Sequence, residues 1–247
     1  MPKKIYNETQ FLTGLICPAY LKYDFNIYEK KLSQSIANQS LICCLLNLEE
    51  LFTDLDFDNF IYNSILITLN KNKKNIKNID NKRLKTYCAN FILNFFKKFP
   101  PSRYFLLLND IEIPVNIQSI EVLFYYDIIL KDIKTDNIIV LNLISNLDNQ
   151  LSSNLEYFSY KKGLVSNRLQ DIFQDFNIKY YCYYASELKA LASNYSLNIS
   201  YLEIIETNKS INILMDIFVS KLKLKKNPFC LNFKCTKRKE CSNDKLR

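Results

Sequence analysis

The chain has 247 residues, of which 48% are hydrophobic, and it carries a formal net charge of +8. This size is enough for one substantial hydrophobic core. The sequence contains no run of 18 consecutive apolar residues, so it gives no indication of a membrane-spanning helix. Histidine is absent, which excludes His–Asp triads, His general bases and every metal site that needs an imidazole ligand.

Helices are predicted along the first hundred residues. Thr9 is a suitable N-cap for a short helix near the start. The start itself lacks the apolar segment of a secretory signal, so we expect a soluble, intracellular protein without membrane contact. Apolar side chains then recur at helical spacing in residues 31–53, 57–70 and 84–98. They predict a helical N-terminal annex over about residues 25–100, which Pro100 and Pro101 end.

The middle of the chain predicts strands. Residues 119–130 and 137–145 are rich in β-branched and aromatic side chains and flank a turn at residues 135–137. The later predicted elements are a helix, a strand and a helix over residues 164–193, 198–206 and 211–222. This order of elements indicates an α/β or α+β protein.

The excess positive charge is confined to the end of the chain. Residues 221–247 hold ten Lys and Arg against two acids, so residues 1–220 hold 23 of each sign. A concentrated basic segment is typical of nucleic-acid binding, although basic tails are also often simply solvated. The side chains considered for nucleic acid are Lys225, Lys226, Lys234, Lys237, Arg238 and Lys239.

The eight cysteines fall into two groups. Those within apolar runs are expected to be small buried hydrophobes, namely Cys43, Cys44, Cys88 and Cys182. The others flank prolines or lie among lysines and would bind a metal through four thiolates, namely Cys17, Cys230, Cys235 and Cys241. One cysteine near the start and three near the end favour a [4Fe–4S] cluster over zinc, because zinc sites usually have paired cysteines at both ends. Zinc, or no metal at all, stays open.

Both ends of the chain also carry a recognisable pattern. Cys17-Pro18 precedes Tyr20-Leu21, and five residues separate Cys235 from Cys241. The pattern resembles the iron–sulfur branch of the RecB-like PD-(D/E)xK nucleases, which includes the CRISPR-adaptation nucleases and the AddAB nuclease module. The resemblance implies a single α/β domain over residues 1–247, with a restriction-endonuclease-like mixed central sheet flanked by helices. It further implies a nuclease-like core over about residues 103–222 and a basic end, residues 223–247, that packs with Cys17 so that the cluster joins the two chain ends.

The resemblance also implies an active site on the central hairpin, where two carboxylates would hold Mg²⁺ and a lysine would position the attacking water. Asp127 matches the first carboxylate, whereas Asn142 and Ile144 fall at the second carboxylate and at the lysine. Asn binds Mg²⁺ more weakly than a carboxylate, and Ile cannot orient water. The family places an acid or His upstream and a Gln-x-x-x-Tyr motif on the following helix, where the best spacing here puts Asn177 four residues before Tyr181.

These departures predict a catalytically inactive nuclease-like protein that keeps the cluster and acts as a nucleic-acid-binding or scaffold subunit. One alternative is an active Mg²⁺- or Mn²⁺-dependent deoxyribonuclease in which Asp127 acts with displaced polar residues, the candidates being Glu112, Glu121, Asp132 and Lys134. Another is a structural subunit of a larger protein assembly, stabilised by zinc or without metal.

Overall fold

The structure is a computed structural model, and it describes residues 4–8, 11–12, 32–49, 56–76, 80–117, 120–145, 151–185 and 192–196. The strand predicted over residues 198–206 and the helix predicted over residues 211–222 lie outside these described residues. Among the described residues, no helix is both long enough and apolar enough to span a membrane.

Three helices lie between residues 32 and 98: α1 (Leu32–Leu46), α2 (Phe57–Lys71) and α3 (Asn81–Lys98). They confirm the predicted helices, although α1 ends earlier than expected. Asp80 caps α3, because its side chain accepts hydrogen bonds from the backbone N–H groups of Lys82 and Arg83. The helix ends just before the two prolines, as predicted.

The described strands form one mixed sheet. Strands β2 (Tyr104–Ile117), β3 (Ile120–Asp132) and β4 (Asn137–Ser145) are antiparallel neighbours. Strand β5 (Ile178–Ala185) runs parallel to β4, and β6 (Ala192–Ser196) runs antiparallel to β5. Strand β1 (Lys4–Asn7) lies parallel to β3, on the edge of β3 that also carries β4. The predicted hairpin and the predicted mixed sheet are therefore confirmed.

The single helix predicted over residues 164–193 is wrong. Helix α4 (Leu151–Ile172) begins and ends earlier, and β5 follows it. Strand β5 is apolar on both faces, with Tyr180 and Cys182 in one core and Tyr183 in the other. Such a segment satisfies helical and strand spacing alike. Its aromatic content and its parallel pairing along the whole of β4 decide for a strand.

Helices cover both faces of this sheet. Helix α4 packs on one face, where Val165 and Leu169 share a core with residues of β3, β4 and β5. Helices α1 to α3 pack on the other face. There Tyr183 of β5 donates its hydroxyl to the carbonyl of Phe91 at 2.8 Å, with the two rings 5.0 Å apart. The predicted helical annex is therefore one layer of an α/β sandwich.

The cysteines predicted to be core residues lie on α1, α3 and β5. Cys44, Cys88 and Cys182 are buried, which confirms the prediction for these three, whereas Cys43 is only partly buried. Burial raises the pKa of Cys44 and that of Cys88 to about 12, because a thiolate is disfavoured where water is excluded. The thiols of Cys44 and Cys88 are therefore packing groups that stay protonated at neutral pH.

Candidate functional site

A gap opens on one edge of β3, between its two neighbours on that edge. Strand β1 pairs with β3 as far as Leu123, and β4 pairs with it from Ile128 onward. The alternation of β3 also shifts here, since Tyr126 and Ile129 face the same core although they are three residues apart. In the described structure, the backbone between these two ladders must find hydrogen bonds elsewhere.

Two carboxylates supply hydrogen bonds at the gap. Asp127 Oδ2 accepts the backbone N–H of Leu143 on β4 at 2.7 Å. Glu8, which directly follows β1, accepts the backbone N–H of Tyr125. Asp127 is 6% exposed and the Glu8 side chain is 12% exposed. Each carboxylate thus takes the place of a strand carbonyl and fastens β3 to a neighbouring segment.

A buried lysine from α4 completes this group. Lys161 Nζ lies 2.9 Å from Glu8 Oε1. It donates hydrogen bonds to Asn142 Oδ1, at 2.8 Å, and to the backbone carbonyl of Tyr125. The ring of Tyr126 lies against the same ammonium, with its centroid 4.1 Å away. Lys161 is 1% exposed, and its three N–H donors have three oxygen acceptors. We call Glu8, Asp127, Asn142 and Lys161 the polar cluster.

The thiol of Cys182 provides a second indication that these charges share one neighbourhood. Cys182 is the ladder partner of Asn142. Burial raises its pKa well above the ordinary value, and nearby charges act in opposite directions: Lys161 lowers this pKa and Asp127 raises it. The charges of Asp127 and Lys161 therefore both act on this buried thiol.

Two of the predicted site residues belong to the polar cluster. Asp127 and Asn142 lie on β3 and β4, and Asn142 continues the row of Ile138 and Val140 that faces α4. This places Asn142 on the face expected from the alternation of the strand. Ile144 lies two residues further along β4, opposite Tyr184, and its side chain is not among those described.

Glu8 and Lys161 were missed from the sequence. Lys161 lies on the apolar stripe of α4, three residues after Phe158 and four before Val165. A lysine on the buried face of a helix is rare unless it is paired, and this position could have been noticed. For Glu8, the sequence signal is the acid that the family resemblance implies upstream of the hairpin.

Four polar residues were candidates for displaced metal ligands, and none of their described contacts reaches the polar cluster. Asp132 accepts two hydrogen bonds from the Arg103 guanidinium, at 2.6 and 2.8 Å. These bonds hold the pKa of Asp132 well below its ordinary value. Asp132 also accepts the backbone N–H of Lys134 at 3.0 Å, so this carboxylate organises the β3–β4 turn. The other two candidates, Glu112 and Glu121, lie on β2 and β3 opposite Tyr125 and Asn116.

The predicted placement of the Gln-x-x-x-Tyr motif on a helix is wrong. Asn177 directly precedes β5 and Tyr181 lies within it. Asn177 donates a hydrogen bond to Asn137 Oδ1 at 3.2 Å, so it links the start of β5 to the start of β4. This segment therefore takes part in strand pairing, and Tyr181 lies in a strand because β5 pairs along β4.

The remaining predicted site residues lie outside the described residues. These are the four cysteines proposed as cluster ligands and the basic side chains of the C-terminal segment. In the part of the chain that the structure does describe, no group of three or more His, Cys, Asp or Glu side chains is arranged to hold a metal ion.

The fold resembles that of a crystal structure described as a "Putative exonuclease" from Eubacterium rectale. The two agree with a TM-score of 0.51 and 7% sequence identity over 96% of this chain and 88% of that chain. A second structure, SSO0001, has a TM-score of 0.28 and 13% identity over 76% of this chain and 88% of its own, which is too distant to carry an argument. No protein-family model and no curated protein matches the sequence. At such low identity the likeness to the first of these structures concerns the fold alone.

Proposed function

We propose that the protein is a catalytically inactive, nuclease-like protein that acts as a nucleic-acid-binding or scaffold subunit. The state of Asp127 carries this proposal. Its carboxylate is 6% exposed and accepts the backbone N–H of Leu143, so it braces two strands. A catalytic carboxylate would need lone pairs directed at a metal ion and access for water and phosphate.

A divalent cation does not fit the polar cluster as the residues stand. Position 142 offers a neutral amide, which is a weaker ligand than a carboxylate. The ammonium of Lys161 already lies 2.8 and 2.9 Å from the oxygens of Asn142 and Glu8. A dication among the same oxygens would be repelled by this ammonium over a few ångströms in a site with little water to screen it. We therefore derive no hydrolytic step for these residues.

A cleavage assay tests the proposed inactivity. The protein, with Mg²⁺ or Mn²⁺, is incubated with single-stranded and double-stranded DNA beside an Asp127→Ala preparation purified in the same way. The two are expected to show the same background level of cleavage. Cleavage that is lost with Asp127→Ala would refute the proposal and favour the active nuclease with displaced ligands.

The basic C-terminal segment supports the nucleic-acid part of the proposal. Binding through phosphates weakens as salt rises, by about 0.9 in log–log slope for each phosphate neutralised on duplex DNA. Deletion of residues 221–247, which carry the whole net charge, should flatten this slope. The matched control neutralises Lys73 and Lys74, which are exposed after α2, and should leave most of the slope in place. An unchanged slope after the deletion, or no binding at low salt, would favour a scaffold role.

We also propose a [4Fe–4S] cluster bound by Cys17, Cys230, Cys235 and Cys241, with zinc as the alternative metal. When bound, such a cluster ties the two ends of the chain together and so lowers the entropy of the unfolded chain. Protein purified without air is expected to be brown, with about four irons per chain. Cys17→Ser should lose the iron, whereas Cys43→Ser, on α1, should retain it. Zinc or no metal in the unaltered protein would favour the structural-subunit alternative.

A further inference from the structure

The ammonium of Lys161 lies among oxygen atoms in the way that a bound metal cation does. A carboxylate of Glu8, an amide oxygen of Asn142 and the backbone carbonyl of Tyr125 converge on Nζ from three separate segments of the chain. Carboxylate, amide and carbonyl oxygens are also the ligands that hard divalent cations prefer. The two separations, 2.8 and 2.9 Å, are those of charge-assisted hydrogen bonds, and are longer than the roughly 2.1 Å of Mg²⁺–oxygen bonds.

The charges of the polar cluster suit a single positive charge. Glu8 and Asp127 contribute two carboxylates, and Asn142 contributes a neutral amide. Two carboxylates with one ammonium leave one net negative charge. Three carboxylates with one dication would leave the same net charge. When an ammonium takes the place of a dication, an amide in place of a carboxylate at position 142 therefore keeps the net charge of the cluster the same.

The side chain of Lys161 is held firmly in this place. It is 1% exposed, and it lies on the face of α4 that packs into the sheet. The Tyr126 ring closes one side of the ammonium, and the three oxygens take up its donors. A cation tethered in this way is part of the fold and needs no supply of metal.

From these contacts we propose that Lys161 is a built-in substitute for a divalent cation. Removal of its side chain, together with Asn142→Asp, should create a divalent-cation site formed by Glu8, the Asp introduced at position 142 and the backbone carbonyl of Tyr125. This inference rests on the proposed function, because an active enzyme would need the cation that the ammonium replaces.

Direct Mn²⁺ binding tests the inference, with the free ion measured by electron paramagnetic resonance in three full-length proteins. The unaltered protein and Asn142→Asp/Lys162→Ala should bind Mn²⁺ weakly. Asn142→Asp/Lys161→Ala should bind one Mn²⁺ per chain, more tightly by more than about tenfold. Lys162 is the matched control because it follows on the same helix and lies over the ring of Tyr180, 5.1 Å from its centroid.

Folding is followed by circular dichroism in the same titration. An Asn142→Asp/Lys161→Ala variant that folds only when Mn²⁺ is present supports the inference, because the metal then replaces the ammonium. If the same variant is folded and binds no Mn²⁺, the inference is overturned. An unaltered protein that binds Mn²⁺ at a site abolished by Glu8→Gln also overturns it, whether or not the other variants fold. These failures would leave the proposed inactivity intact, since that proposal fails only if the unaltered protein cleaves DNA.

Discussion

The ion pair between Glu8 and Lys161 predicts a measurable coupling in stability. In Lys161→Met the apolar stem keeps a similar length, so charge and hydrogen bonds are lost more than volume. The Glu8 carboxylate then loses its cationic partner in a site where its side chain is 12% exposed. Breaking a buried pair in this way costs about 3–5 kcal/mol. We expect a value near the lower end, because some water can reach Glu8.

The double variant Glu8→Gln/Lys161→Met contains neither charge. It should be more stable than the sum of the two single losses implies, with a coupling of about 1–3 kcal/mol. Urea denaturation at constant pH gives the free energy of unfolding of each variant by linear extrapolation. Lys162→Met is the control and should lose less, about 1 kcal/mol, because Lys162 is only partly buried and its ammonium lies over the Tyr180 ring. Single losses that add within about 0.5 kcal/mol would refute the ion pair.

Three further predictions concern other parts of the structure. Asp132→Asn should destabilise the protein near neutral pH, and the loss of stability should be much smaller at a pH far below 3.8, the ordinary pKa of Asp. The hydrogen bonds from Arg103 lower the pKa of Asp132, so the contribution of this carboxylate to stability is complete above pH 3.8 and is lost as the pH falls. Equal urea midpoint shifts at both pH values would contradict this. Asp127→Ala should cost about 1–3 kcal/mol by depriving the Leu143 N–H of its acceptor, whereas Asp127→Asn keeps an oxygen there and should cost less; equal losses would count against a bracing role. Iodoacetamide should leave the buried thiols of Cys44, Cys88 and Cys182 unmodified in the native protein. Mass spectrometry checks this, and labelling of any of the three would contradict their burial.

The parts of the fold that could be predicted are those where local signals and tertiary packing agree. Helix α3 has one apolar stripe, a capping Asp80 at its start and prolines after its end, so each signal indicates the same bounds. The hairpin of β3 and β4 has a turn that Asp132 and Thr135 reinforce by a hydrogen bond of 2.8 Å. Strand β5 differs, because it is buried on both faces and its partner β4 lies beyond an intervening helix. Local periodicity could not distinguish it from a continuing helix.

The candidate site divides along the same line. Asp127 and Asn142 lie on one hairpin, where the alternation of each strand predicts which residues share a face. Glu8 lies 117 residues from Tyr125, to which it is hydrogen-bonded, and Lys161 lies 36 residues after that carbonyl. Their convergence depends on a gap between two ladders of β3. Local sequence carries no signal for such a gap, because it arises from where two distant strands happen to stop pairing.

The same gap gives the polar cluster a structural role. The N–H groups of Tyr125 and Leu143 and the carbonyl of Tyr125 all need partners, and Glu8, Asp127 and Lys161 provide them. A buried backbone group left unsatisfied would cost about 1–3 kcal/mol, whatever the protein does. The carboxylates are therefore required by the sheet itself. An amide at position 142 and an ammonium from α4 then complete a buried group whose donors are met. The residues around the gap therefore stabilise the sheet whether or not this site takes part in any chemistry.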